Sequence, residues 1–175
     1  WSIPVTTLSI RYADDWLLIV DKPSGLPTQG TRVSTDPHLY GHVLGQYPGA
    51  ALHHRLDRPS SGLVLFTISK AVNRAISEAF RLHTIDRRYL AVIAGDPGPS
   101  GTWSHDIDGK RAVTHFETIG SGDGMALIEA RLETGRTHQI RLHAAQSGHP
   151  IIGDRRHGGS AGRLWPRLAL HAVRL

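Results

Sequence analysis

Hydrophobic residues occur in short runs separated by Gly, Pro and polar residues, the pattern of a domain built on short strands. The run Trp16–Val20 predicts a buried strand, and the sequence Asp21-Lys22-Pro23-Ser24-Gly25 after it predicts a turn. Two more runs of branched and aromatic residues and two stretches of alternating polarity predict four further strands: Leu63–Ile68, Arg88–Ala94, Ala126–Leu132 and Leu168–Leu175.

Two segments have helical signals. Ser69 is a typical N-cap, and the helix it starts is predicted to run to about Leu82. Apolar residues recur on one side of that helix at helical spacing: Val72, Ala75, Ile76, Ala79 and Phe80. Thr137 predicts the start of a second, short helix that reaches Ser147, with Gly148 at its C-terminal end.

The predicted strands outnumber the helices, and the connections between strands are too irregular for a strictly alternating parallel pattern. We therefore predict an α+β fold, with a mixed, mostly antiparallel sheet and flanking helices. The chain has 175 residues, and it contains no low-complexity tract, long linker or convincing repeat. A single domain over residues 1–175 is the simplest interpretation.

Charge adds information about the partner. The formal net charge is +5, and of the 20 basic residues 17 are Arg and 3 are Lys. Because the planar guanidinium suits phosphates and base edges, this balance favours nucleic acid, although a genome rich in Arg codons would produce the same bias. No basic-then-apolar leader and no apolar run of about 20 residues is visible, so we expect a cytoplasmic protein with no membrane partner.

The stretch from His53 to Gly62 places one carboxylate, Asp57, among two His and two Arg just before a predicted buried strand. Nearby positive charge lowers the pKa of a carboxyl group and keeps it ionised, as a nucleophile or general base must be at neutral pH. The alternative is structural: Asp57 braces a turn by accepting backbone N–H groups and pairing with Arg.

A second polar stretch runs from Leu132 to His143. If Thr137 caps a helix, the free N–H groups at its start would lie near Arg136, His138 and Arg141 and form an anion site. The alternative is a solvated basic face.

Other chemistries lack their motifs. The chain has 12 His but no His-Glu-x-x-His or comparable ligand spacing, and it has no Cys, so we expect no metal. A phosphate-binding glycine loop is missing, which argues against a nucleotide cofactor. A Gly-x-Ser-x-Gly elbow is missing too, which argues against a serine hydrolase.

Six motifs follow one another along the chain: Asp14–Leu26, then His54-Arg55-Leu56-Asp57 with Ser61-Gly62, then Arg88–Ala91, then Thr134–His143, then Gly148–Asp154, and finally Ala169–Ala172. Taken together and in this order, they resemble the RluA-type family of pseudouridine synthases. The resemblance implies an isomerase that breaks the N-glycosidic bond of a uridine in RNA, turns the uracil and rejoins it to the ribose through carbon, without a cofactor or metal.

The resemblance also implies roles for individual residues. Asp57 matches the family's essential aspartate, and Tyr89 matches the tyrosine that stacks on the flipped base. Arg141 best matches the basic partner of the aspartate, with Arg136 as the alternative. Arg55 is implied to contact RNA, and we expect His138 to help bind the substrate.

The sequence departs from the family pattern at a few points. His157 stands where many members have Tyr. We also expect no small accessory RNA-binding domain before the catalytic part. We expect a monomer that acts on structured RNA, either tRNA or rRNA. A catalytically inactive RNA-binding protein of the same fold is the alternative, and a His-dependent metallohydrolase would require bound metal.

Overall fold

The structure is a computed structural model that describes residues 7–31 and 36–175. The chain divides into two compact units, Trp1–Ile85 and Asp86–Leu175. Each unit combines strands with helix, and every strand pairing within a unit is antiparallel in the part of the chain that is described. The α+β prediction is confirmed, whereas the single domain over residues 1–175 stays a prediction.

The first unit contains four strands and two helices: β1 (Ile10–Ala13), β2 (Leu17–Lys22), α1 (Leu39–Gln46), β3 (Ala51–Leu52), β4 (Ser61–Thr67) and α2 (Lys70–Arg81). Strand β4 pairs with both β2 and β3, and β1 pairs with β2. Inward-facing residues of β2 and β4 form the core of this unit, and four of them are completely buried: Leu18, Val20, Val64 and Phe66.

Helix α2 confirms the N-cap prediction. The Ser69 side chain accepts a hydrogen bond from the Ala71 N–H at 3.3 Å, and this satisfies one of the amide groups that a helix start leaves open. The predicted apolar side is only partly covered, since no residue of α2 is fully buried. The helix therefore lies on the surface of the unit.

The second unit contains five strands, one α-helix and one short 3-10 helix: β5 (Arg88–Ala94), β6 (Ser100–Trp103), β7 (Thr114–Gly122), β8 (Met125–Leu132), α3 (Gln139–Gln146), the 3-10 helix (Ala161–Arg163) and β9 (Leu170–Arg174). Its strand order is β9-β5-β8-β7-β6. Small and branched residues alternate on the buried face of this sheet: Ala91, Ile93, Ile128, Ala130 and Ala172.

Helix α3 starts later than predicted. It begins at Gln139, and the residue before it is His138, whose backbone is left-handed with φ of 56°. Thr137 is therefore not the N-cap. Gly148 follows the helix with φ of 83°, as predicted for a glycine at the C-terminal end of a helix.

Six of the described elements were absent from the prediction: β1, α1, β3, β6, β7 and the 3-10 helix. For β1, β7 and α1 the reason is that each lacks a strong hydrophobic period. Strand β1 has no buried residue, β7 is largely exposed beyond its first residues, and α1 contains two glycines and buries only Leu39 and Val43. No helix among the described residues is long and apolar enough to cross a membrane.

Candidate active-site residues

Asp57 lies half-buried in the loop between β3 and β4. The residues on either side of it are held by the loop that follows β2. Thr28 fixes Leu56 from both sides, because its hydroxyl donates to the Leu56 carbonyl at 2.7 Å and accepts from the Leu56 N–H at 3.1 Å. Ser24 donates to the Pro59 carbonyl at 2.7 Å. The aspartate loop is therefore clamped before and after Asp57.

Lys22 is the centre of this clamp, and its side chain is completely buried. Its ammonium group reaches four backbone carbonyls of both loops, those of Pro23, Leu26, Arg58 and Ser60. Burial lowers the pKa of the Lys22 ammonium to about 8, while the negative charge of Asp57 acts in the opposite direction. Lys22 thus stays protonated at neutral pH and contributes positive charge close to the candidate catalytic carboxylate.

Replacing Lys22 with methionine is expected to lower the free energy of unfolding at pH 7 by roughly 3 kcal/mol, because the carbonyls lose their shared donor. The difference in the free energy of unfolding between the two proteins should be larger at high pH. Below pH 8 Lys22 is protonated in both states, but between about 8 and 10.5 the native state releases its proton first, so only the wild type gains stability there. Urea unfolding of both proteins at pH 7 and pH 10 measures this. A difference that is independent of pH would show that the pKa of Lys22 is not lowered.

The two histidines before the aspartate are structural. The His54 Nε2 accepts a hydrogen bond from the Leu65 N–H at 2.9 Å, and its ring stacks on Phe80 at a centroid distance of 4.6 Å. His53 bonds to the hydroxyls of Thr67 and Ser77, and burial lowers the pKa of its imidazole. Both rings therefore attach the aspartate loop to β4 and α2. Across residues 7–31 and 36–175, no three His, Asp or Glu side chains gather as metal ligands would.

Tyr89 occupies the second position of β5 and is buried. Strand β5 lies between β9 and β8 within its unit, so Tyr89 is on an interior strand of the sheet. Its register partners are Ala130 on β8 and Ala172 on β9. Both register partners have small side chains.

Arg87 is a functional candidate that the sequence analysis missed. It is buried next to Tyr89, donates to the Thr134 carbonyl at 3.3 Å, and has its pKa lowered by burial. A Cβ on Gly135 would lie 2.8 Å from the Arg87 Nη1. A side chain at position 135 would therefore displace the Arg87 guanidinium, which lies directly against the Gly135 backbone. The pair Thr134-Gly135 was the sequence signal that could have indicated a close contact at this point.

Arg141 forms a buried two-pronged ion pair with Asp154. Both the Nε and the Nη2 donate to the carboxylate at 2.8 Å, and the two side chains are 4% and 1% exposed. Burial raises the pKa of the Asp154 carboxyl, but the hydrogen bonds and charge of Arg141 outweigh this and lower the pKa overall. Asp154 is a partner that the sequence analysis did not identify, and the predicted pairing of Arg141 with Asp57 stays a prediction.

The buried polar side chains of α3 form hydrogen bonds with β7 and with the loops beside it. The Gln139 amide donates to the Val113 carbonyl and to Thr114, and it accepts from the Thr134 hydroxyl and the Arg136 N–H. One turn later, His143 bonds to the Thr114 hydroxyl and the His105 carbonyl, and burial lowers its pKa. Because these polar groups are buried and paired, they hold α3 in a single orientation.

The remaining predicted residues lie around the start of α3 or on the surface. The His138 Nδ1 is 3.0 Å from the His157 Nε2, and the Arg136 Nε donates to the Arg111 carbonyl at 3.1 Å. Arg55 is exposed in the first unit. The predicted anion site around His138 and Arg136 stays a prediction. The anion that Arg141 is observed to bind is the protein's own Asp154.

Residues 16–146 match the protein family described as RNA pseudouridylate synthase. The chain therefore belongs to the RNA pseudouridylate synthase family, a family of isomerases, and the resemblance inferred from the motifs is confirmed.

Curated relatives make the assignment more specific. The chain is 33% identical to the dual-specificity RNA pseudouridine synthase RluA of Escherichia coli (strain K12), over 96% of this chain and 85% of RluA. It is 34% identical to an uncharacterized RNA pseudouridine synthase of Zymomonas mobilis, over 97% of this chain and 87% of the relative. It is also 34% identical to the ribosomal large subunit pseudouridine synthase D of that organism, but it spans only 64% of that protein.

A solved structure has the same fold. The human RNA pseudouridylate synthase domain containing 1 superposes with a TM-score of 0.82 at 26% identity, covering 98% of this chain and 79% of the human chain. This agrees with the family assignment over nearly the whole chain.

Proposed function

We propose that this protein converts specific uridines in structured RNA, in tRNA, rRNA or both, to pseudouridine, with Asp57 as the catalytic carboxylate. The observation that carries the proposal is the family match together with an aspartate loop that is clamped on both sides of Asp57. A carboxylate whose flanking backbone is held on both sides has a defined position, as pre-organised catalysis requires.

The reaction is an isomerisation, so its atoms balance without a co-substrate. The bond between uracil N1 and ribose C1′ breaks, the uracil turns, and a bond forms between C5 and C1′. The C5 proton is released and N1 gains one. Asp57 either attacks the sugar or abstracts a proton from it, and both routes need the ionised carboxylate.

The target base must leave the RNA stack before it can react, at a cost of a few kcal/mol. We assign Tyr89 the role of stacking on the extruded uracil, supported by its family match and by the small residues Ala130 and Ala172 beside it. We assign Arg141 the role of the basic partner that pairs with Asp57 and positions it, with Arg136 as the alternative.

We assign basic residues the role of binding the RNA outside the reacting nucleotide. Arg55 is exposed two residues before Asp57, and Arg136 and His138 lie at the start of α3. Guanidinium groups at these positions would contact phosphates, and this predicts RNA binding that weakens as salt increases. We further propose that the protein acts in the cytoplasm as a monomer and needs neither a metal nor a nucleotide cofactor.

The proposal is tested by mapping pseudouridines in total cellular RNA incubated with and without the purified protein. New pseudouridines at a small number of sites are expected. RNA binding without any new pseudouridine would instead identify an inactive RNA-binding protein of this fold.

Two Tyr89 variants test the stacking role through their affinity for RNA. Tyr89→Ala removes the ring, and it is expected to weaken RNA binding by about 1–3 kcal/mol because one base loses its stacking surface. Tyr89→Phe keeps the ring and is expected to keep the affinity. Equal affinity of the two variants would show that Tyr89 is not a stacking surface.

A further inference from the structure

The segment Gly153–Leu168, named here the 153–168 loop, is a compact excursion from the second unit. Its ends are joined by the hydrogen bond from the Ala169 N–H to the Ile152 carbonyl at 2.9 Å. Inside it, the Gly153 N–H bonds to the Ala161 carbonyl at 3.0 Å, and the Gly158 N–H bonds to the Asp154 carbonyl at 2.7 Å. The loop is therefore internally bonded, with the short 3-10 helix as its centre.

Glycines allow distant parts of this loop to touch. A Cβ on Gly162 would lie 2.5 Å from the Asp154 carbonyl oxygen and 3.2 Å from the Arg155 Cα, and a Cβ on Gly153 would overlap the Arg167 carbonyl. Because backbone packs on backbone at both points, Arg155 and the neighbour of Gly162, Arg163, are brought to one small surface.

The surface of the loop is basic and aromatic. Four arginines are exposed: Arg155, Arg156, Arg163 and Arg167. Between the last two lie Leu164 and Trp165, which are 63% and 54% exposed. The only carboxylate within the loop itself, Asp154, is buried and paired with Arg141.

We propose that the 153–168 loop is an RNA-binding surface, in which Trp165 stacks on a base outside the reacting nucleotide and Arg155, Arg156 and Arg163 contact phosphates. The inference rests on the proposed function and adds a substrate-recognition surface to it. An exposed indole between guanidinium groups fits single-stranded nucleic acid, because bases stack on aromatic rings while arginine forks bind phosphate oxygens.

An anionic membrane is the competing partner for a basic surface that contains tryptophan. The loop offers only a short run of exposed apolar residues, Leu164, Trp165 and Pro166, rather than the long apolar face that an interfacial helix presents. Charge and composition therefore favour RNA, and vesicles provide the opposing arm of the test.

The stacking role is tested by fluorescence anisotropy with a fluorescein-labelled RNA hairpin that has uridines in its loop. Trp165→Ala is expected to raise the Kd about tenfold, and Trp165→Phe to raise it less than about threefold, because the ring is kept. Trp16→Ala is the matched control. Trp16 is 55% exposed but follows Asp14 and Asp15, so its removal is expected to leave the Kd unchanged.

The phosphate contacts are tested by the salt dependence of the same Kd. The double variant Arg155→Ala/Arg163→Ala is expected to reduce the slope of log Kd against log salt by about two, one for each lost contact. Arg81→Ala is the control, since the Arg81 guanidinium is exposed but paired with Glu78. Thermal unfolding of each variant confirms that the loop variants remain folded.

Unchanged affinity and slope in both the Trp165→Ala and the double variant would overturn the inference. So would loss of binding to phosphatidylserine vesicles with RNA affinity intact, since that result would identify the loop as a membrane surface. The outcome is independent of turnover. If the loop variants weaken RNA binding but the wild type forms no pseudouridine, the proposed function fails and the RNA-binding surface remains.

Discussion

Replacing Asp57 with asparagine is expected to give a folded protein that binds RNA and forms no pseudouridine, with turnover reduced by at least about a thousandfold. The change keeps the shape of the side chain and removes only its charge. Folding should survive because the hydrogen bonds that clamp the loop belong to Thr28, Ser24 and Lys22 and end on backbone atoms around Asp57.

A single-turnover assay measures this loss, and Asp15→Asn provides the matched control. Asp15 is an exposed aspartate in the turn between β1 and β2, so its amide variant is expected to keep full turnover. The Asp57 variant should also lower the pKa of Lys22 below about 8, because the charge that raises it is gone. Substantial turnover by Asp57→Asn would refute the assignment of Asp57 as the catalytic carboxylate.

Replacing Arg141 with alanine is expected to lower the free energy of unfolding at neutral pH by about 3–5 kcal/mol. The cost arises because Asp154 is left buried and charged with only the N–H groups of Arg156 and His157 as donors among its observed contacts. Arg141→Lys should recover only part of the stability, since an ammonium group cannot reproduce the two-pronged contact.

The loss should depend on pH with a defined sign. In the wild type the pKa of Asp154 is lowered, so the stability that the pair provides is present above about pH 4 and disappears as the pH falls through the native pKa. In Arg141→Ala, burial without the guanidinium should raise that pKa, so the variant regains stability relative to the wild type as pH falls. Urea unfolding from about pH 2 to pH 7 measures both curves. A constant difference would show that Asp154 is not the stranded charge.

Turnover by the Arg141 variant tests whether Arg141 has a second role, the positioning of Asp57. If Arg141 also positions Asp57, Arg141→Ala should abolish turnover and leave the salt dependence of RNA binding nearly unchanged. A flattened salt dependence with turnover retained would make Arg141 a phosphate contact and Arg136 the better candidate for the partner of Asp57.

Local sequence was sufficient for the elements that have strong periodicity or caps. The strands around Leu18, Val64 and Ile93 and the helix that begins after Ser69 were predicted within a few residues. Elements without such a pattern were not. Strand β1 has no buried residue, and α1 buries only Leu39 and Val43, which are four positions apart. Neither segment therefore has a hydrophobic periodicity that distinguishes it from a loop.

The sequence by itself determined the family and the candidate catalytic aspartate, because the motifs are runs of adjacent residues that occur in family order. It did not determine what those residues contact. Lys22 meets the Ser60 carbonyl 38 positions away, and Arg87 meets the Thr134 carbonyl 47 positions away. Buried polar groups need partners to offset their lost hydration, and only the folded chain decides which distant groups those partners are. For the same reason Asp154 became visible as the partner of Arg141 only in the tertiary structure.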